Sequence, residues 1–168
     1  MNPTPRANQL WLILLAMFWA LYGLIGRDAW KGEEALALAP ILDWLAGSAS
    51  AWTTPAPLYT LIAGISAQLS ASQLDAQDGA RLASGLFTLV SLLLTGMTAR
   101  SLFGPGFGAA AALSLMGGMG LMLRIHALLP ETAMLAAWSG LLYGVAVSRV
   151  HARRGAIAIA LALATLTL

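Results

Sequence analysis

The sequence predicts an all-α integral membrane protein: a polytopic helical bundle of four spans and a truncated fifth, with short juxtamembrane helices in its first outer loop. Three observations predict it. The 168 residues are 59% hydrophobic and 10% charged, against about 45–50% and about 25% in soluble domains. Mean hydropathy is +0.78. The apolar residues gather into runs near the roughly 20 residues that a helix needs to cross a bilayer, and the charges fall between the runs. The chain has no cysteine and a net charge of only +2. That excludes disulfides and thiolate metal sites, and no basic stripe with interleaved aromatics points to nucleic acid.

The first span is read over residues 10–26. It follows Arg6 and carries the bulky Phe18, Trp19 and Tyr22, whereas a signal peptide has a shorter apolar core and a small-residue cleavage site. A long outer loop, 27–81, comes next. Its "EEALALAPILDWLAG" reads as a short helix lying on the membrane, with Gly47 as the stop. Residues 57–70, "PLYTLIAGISAQLS", are apolar but only 14 long. A run of that length is more often re-entrant or interfacial than spanning.

Spans are then expected at 82–99, 105–123 and 132–148, separated by "RSLFGPG" and by a second outer loop, "RIHALLPE", 124–131. The small residues of "FGAAAALSLMGGMGLM" let helices approach closely in lipid. The run 155–168 stops after 14 residues and reads as a span cut short.

Basic residues favour the cytoplasmic side. If 57–70 does not span, five of the nine Lys and Arg lie inside and four outside; if it does span, three lie inside and six outside. The first topology is therefore expected, and it brings all seven acidic residues to the outer face.

Two charged clusters on that face are the candidates for chemistry. In "GRDAWKGEEALALAP", Glu33 and Glu34 open a helix. There they either complement the helix dipole, worth about 0.3–1 kcal/mol each, or supply a general base or metal ligand at the membrane surface. Adjacent helical residues face different ways, so at most one points into a site while the other braces the loop. The second loop holds Arg124, His126 and Glu131. Each alone reads as an anchor or a structural residue. Together they could hold an anionic group, Arg as a fork for phosphate and His as proton donor or metal ligand. Arg81 reads as an interfacial anchor, and His151, Arg153 and Arg154 as a cytoplasmic basic patch. No nucleotide-binding, zinc-protease or serine-hydrolase motif is present. A transporter or channel would want charges inside its spans, and these spans carry essentially none.

The order of these pieces resembles the N-terminal part of the GT-C membrane glycosyltransferases, in particular the aminoarabinose (lipid A) transferase and protein mannosyltransferase-like branch. "DAWKGEEA" (28–35) looks like the family's first-loop acidic motif, with Glu33 at its Asp and Glu34 at its Glu. "PAPLYTLIAG" (55–64), "ARLAS" (80–84), "ARSLFGPG" (99–106) and "RIHALLPE" (124–131) follow in family order. The resemblance covers about residues 10–148 and implies that 1–168 is the N-terminal part of a longer transmembrane domain.

The resemblance further implies a sugar transferred from a polyprenyl-phosphate donor to a lipid or protein acceptor, on the non-cytoplasmic side of the inner membrane. It implies Glu33 as the catalytic base, and Lys31, Glu34, Arg81, Arg124 and His126 in substrate binding. A divalent metal on Glu33 and Glu131 is implied in the same way. The chain departs from the pattern in three places: Glu33 and Glu131 replace Asp, and Thr54-Pro55 replaces a Glu-Lys pair. That last change favours the alternative, a non-catalytic membrane scaffold or accessory subunit that kept the fold.

Overall fold

The computed structural model describes residues 5–26, 32–118, 120, 124 and 126–167, with side chains from Leu10 onward. Among them the chain is all-helical, with no strand. In order the helices are α1 (Pro5–Leu21), α2 (Gly32–Leu45), a 3-10 turn (Ala51–Thr53), α3 (Pro57–Ser70), α4 (Ala76–Phe103), α5 (Phe107–Met116), α6 (Glu131–Ser148) and α7 (Ala152–Thr167).

Local chemistry sets most of the boundaries. The α1 helix stops at Leu21, short of the expected 26, because Gly23 and Gly26 adopt φ of +85° and +79°, a left-handed conformation that only glycine enters without penalty. The α2 helix ends as expected at Gly47, whose φ is +73° and whose N–H donates to the Trp44 carbonyl at 3.0 Å. The Ser50 side chain caps the 3-10 turn by accepting the Trp52 N–H at 3.3 Å. Pro57 begins α3, where its missing N–H leaves no bond unmade. The α4 helix starts six residues before the expected span, so Arg81 lies within its second turn instead of at its edge. Gly117 closes α5 after ten residues, which replaces the expected 105–123 by a shorter helix; residues 119, 121–123 and 125 lie outside the described residues.

The α4 helix is the centre of the fold and touches α1, α2, α3, α5 and α6, while α7 packs on α6. The α3 helix runs antiparallel beside the first half of α4. Ala67 and Ser70 meet Gly79 at one end of this hairpin, and Tyr59 meets Ser84 and Phe87 at the other. The α6 helix runs parallel to α4, with Gly140 beside Leu94 and Ser139 accepting a 3.4 Å hydrogen bond from Thr95. The α6–α7 hairpin closes through backbone contact. A Cβ on Gly155 would lie 2.7 Å from the Gly144 carbonyl oxygen and 2.5 Å from the Ser148 Cβ.

This chain direction gathers Glu33, Glu34, Asp75, Asp78 and Glu131 at one end of the bundle, and Arg100, Arg149, Arg153 and Arg154 at the other. Between Arg81 and Arg100, α4 has no charged residue. That stretch rises about 28 Å at 1.5 Å per residue, close to the roughly 30 Å hydrocarbon thickness of a bilayer. By length and composition α4 is the one helix among the described residues that is long and apolar enough to cross a membrane; Leu10–Leu21 and Phe107–Met116 are shorter apolar helices.

Large apolar side chains face outward from α4 and α6, while Phe87 and Leu92 join small and hydroxylated residues inside. The α4 helix buries Ser84, Thr88 and Ser91 completely while Leu86 and Leu93 face outward. The α6 helix buries Thr132, Ala136, Ser139, Gly140 and Gly144 and exposes Met134, Trp138, Leu142 and Val145. Hydroxyls fold back onto their own helices: Thr88 donates to the Ser84 carbonyl, Ser91 to Phe87 and Thr98 to Leu94, at 2.7–2.8 Å.

Candidate functional site

A cleft of about 280 Å³ opens at the acidic end of the bundle. The first turn and outer edge of α2 form one wall through Glu33, Leu36, Ala37 and Pro40. The start of α3 forms the floor with Tyr59 and Thr60. Leu129, Pro130 and Glu131, where the second charged loop enters α6, close the far side. Glu33 is exposed to the cleft. Glu131 is 52% exposed and lies 3.7 Å from the guanidinium of Arg124, itself 56% exposed. Arg124 and Glu131 therefore form a solvated pair in which both groups remain accessible.

Glu34 turns the other way, as the helical offset of about 100° per residue requires. It is fully buried. Its Oε1 accepts the Leu128 N–H at 3.0 Å and stands 3.7 Å from Arg81 Nε. Arg81, also fully buried, donates to Asp78 Oδ1 at 2.8 Å, and Asp78 Oδ2 accepts the Gly26 N–H at 2.7 Å. One line of polar contacts thus joins the chain after α1, the start of α4, the start of α2 and the loop before α6. Glu34 and Arg81 face protein in this arrangement, not the cleft.

His126 does not reach the cleft lining. Its Nε2 lies 3.1 Å from the Trp19 carbonyl oxygen and its ring meets the Trp19 indole edge-on at 6.4 Å, so it ties the second loop to α1. Lys31 lies outside the described residues. Of the seven predicted site residues, Glu33 and Glu131 line the cleft, Arg124 pairs with Glu131, and Glu34 and Arg81 support the site from behind.

Two contributors escaped the sequence reading. Tyr59 is 3% exposed and forms the cleft floor, its hydroxyl sharing a 2.7 Å hydrogen bond with Ser84 Oγ and its ring stacking on Phe87 at 6.0 Å. Burial pushes its phenol well above the ordinary tyrosine range, with the Ser84 hydrogen bond opposing the shift. The phenol therefore stays protonated and able to donate. A tyrosine within a short apolar run was the available signal, since a buried Tyr hydroxyl usually has a partner. The other is Asp78, three residues before Arg81 and so on the same helical face.

Among the described residues no group of three or more His, Cys, Asp or Glu side chains is placed to hold a metal ion. The cleft offers two carboxylates, Glu33 and Glu131. Glu131 is at the same time paired with Arg124 at 3.7 Å. No protein-family model matches the chain, and no curated protein or solved structure matches it either.

Proposed function

We propose that this chain is a polytopic inner-membrane glycosyltransferase, taking a sugar from a polyprenyl-phosphate donor and passing it to a lipid or protein acceptor at the acidic, non-cytoplasmic end of the bundle. The membrane setting is supported by the outward-facing apolar side chains of α4 and α6. Large apolar side chains facing outward and small or hydroxylated ones facing inward suit lipid, where close backbone packing and internal hydrogen bonds hold helices together. The same surface in water would be an extended apolar patch. The segregation of acidic and basic residues to opposite ends supports the orientation.

One observation carries the enzymatic reading. Glu33, from the first charged segment, and Glu131, beside Arg124 in the second, meet on one cleft at the end of the bundle where a lipid-phosphate donor would present its headgroup. There Glu33 accepts the proton of an acceptor hydroxyl as that oxygen attacks the anomeric carbon and the bond to the donor phosphate breaks. Arg124 stabilises the charge that develops on the leaving phosphate. A divalent cation held by Glu33 or Glu131 would supply Lewis-acid assistance to the same departure.

Glu33→Gln, in the complete protein in native membranes, tests the base. The expected outcome is a loss of sugar transfer of about 10²–10⁴-fold, read with a radiolabelled polyprenyl-phosphate sugar. Transfer unchanged within about threefold would remove Glu33 from the reaction.

A second reading, a non-catalytic scaffold, draws on the burial of Glu34 and Arg81, which turn two of the charged candidates inward. The Thr54 hydroxyl, where the resembled family has an acid-base pair, is likewise engaged, sharing a 3.0 Å hydrogen bond with Thr60. Retention of labelled polyprenyl phosphate with no turnover would favour this second reading.

A further inference from the structure

Glu33 and Glu34 are neighbours in the chain, yet one lines the cleft and the other is fully buried behind it. The buried carboxylate is not confined to its own helix. Glu34 Oε1 accepts the N–H of Leu128, and Leu128, itself fully buried, is followed directly by Leu129, Pro130 and Glu131, the three residues that close the far wall. The Glu34 carboxylate thus links the two walls of the cleft. Arg81 limits where that oxygen can sit, because its guanidinium lies 3.7 Å from it and is in turn held by Asp78 on the same helix. Asp78 completes the frame by accepting the Gly26 N–H.

From this geometry we infer that Glu34 is a positioning residue: with Arg81 as its anchor on α4, it clamps the Leu128–Glu131 segment at a set distance from Glu33 across the cleft. The consequence for chemistry rests on the glycosyltransfer reading. Base and leaving-group stabiliser must bracket the substrate, and displacement of a reacting group by about 1 Å can cost about 10²-fold in rate. A carboxylate suits the task better than a neutral acceptor. A charge-assisted hydrogen bond to a backbone N–H is shorter and roughly twice as strong as a neutral one, and in this buried setting it is not screened by water.

The clamp can be tested apart from activity. Residues 1–168 contain no cysteine, so, with any cysteine elsewhere in the complete protein replaced by serine, Leu36→Cys on one wall and Glu131→Cys on the other can be spin-labelled selectively and their separation measured by pulsed electron resonance. With Glu34 intact the distance distribution is expected to be narrow. Glu34→Gln, whose amide oxygen can still accept the Leu128 N–H, should keep it narrow. Glu34→Leu, which cannot accept, should broaden or shift it. The double variant Glu34→Leu/Arg81→Met removes both charges, so that a folded protein without the clamp is obtained even where the single variant does not accumulate; it too should broaden the distribution. In the unlabelled protein, Glu34→Leu should lower kcat about 10²-fold with KM for the donor within about threefold, and Glu34→Gln should restore most of it.

An unchanged distance distribution in the folded Glu34→Leu or double variant overturns the clamp, whatever the activity. A broadened distribution in a protein whose unsubstituted form transfers no sugar upholds the clamp and removes the glycosyltransfer reading.

Discussion

The Tyr59 hydroxyl and Ser84 Oγ lie 2.7 Å apart in a site closed to solvent, and this contact pins the start of α3 to the third turn of α4. It also sets the floor of the cleft, since the Tyr59 ring is held between that hydrogen bond and Phe87. Removing one partner leaves the other buried without it, a loss of about 1–3 kcal/mol; removing both is close to neutral. Tyr59→Phe and Ser84→Ala should therefore each lower stability by about 1–2 kcal/mol, and the double variant by less than their sum. Thermal unfolding of all four proteins in detergent checks the cycle. Strict additivity would mean that the two hydroxyls do not interact.

The raised Tyr59 phenol makes an alkaline prediction. In the unfolded chain a tyrosine loses its proton near pH 10, whereas in the folded protein burial holds Tyr59 protonated to higher pH. The folded state binds the extra proton above that point, so stability is complete below about pH 10 and declines as pH rises beyond it. Of the three tyrosines in the chain, Tyr59 should ionise only with unfolding. Ultraviolet absorbance of tyrosinate, followed together with helicity, reads this directly, and Tyr59→Phe should remove the coupled step.

The α6–α7 hairpin depends on the absence of side chains at Gly144 and Gly155. A Cβ on Gly144 would lie 2.6 Å from Ile159 Cγ1 and 3.0 Å from the Gly155 carbonyl oxygen. Backbone cannot yield as a flexible side chain can, so Gly155→Val should separate the helices and cost about 1–3 kcal/mol or more. Gly120→Ala meets nothing within 4 Å and serves as the control. Loss of thermal stability confined to the Gly155 variant is the expected result.

The division of charge between the two ends of the bundle predicts sidedness. Single cysteines at the exposed positions Ser72 and Arg124 should react with an impermeant thiol reagent from one side of the membrane. Cysteines at Gly106 and Arg153, exposed at the other end, should react only from the opposite side. Labelling of Ser72→Cys and Arg124→Cys from different sides would break the arrangement that brings Glu33 and Glu131 to one cleft.

Composition and run length already determined that this chain is helical and where most of its helices lie, because hydropathy, proline and glycine act over one or two turns. Gly47 ends α2 for that reason, and the apolar run after Pro130 becomes α6 within a residue of its expected start. The brief run 57–70 forms a 14-residue helix that packs along α4. The distribution of tasks among the charged residues was not legible locally. Glu33 and Glu34 are chemically alike and adjacent; only the meeting of α2 with Arg81 and the Leu128 N–H turned one to the cleft and the other to the interior. The sequence groups His126 with Arg124 and Glu131 around an anion, and the fold also sets its Nε2 3.1 Å from the Trp19 carbonyl oxygen. These outcomes depend on which helices touch. In a chain that exposes so many large apolar side chains, that choice rests on small residues and a few buried hydrogen bonds between distant segments, which no local pattern reports.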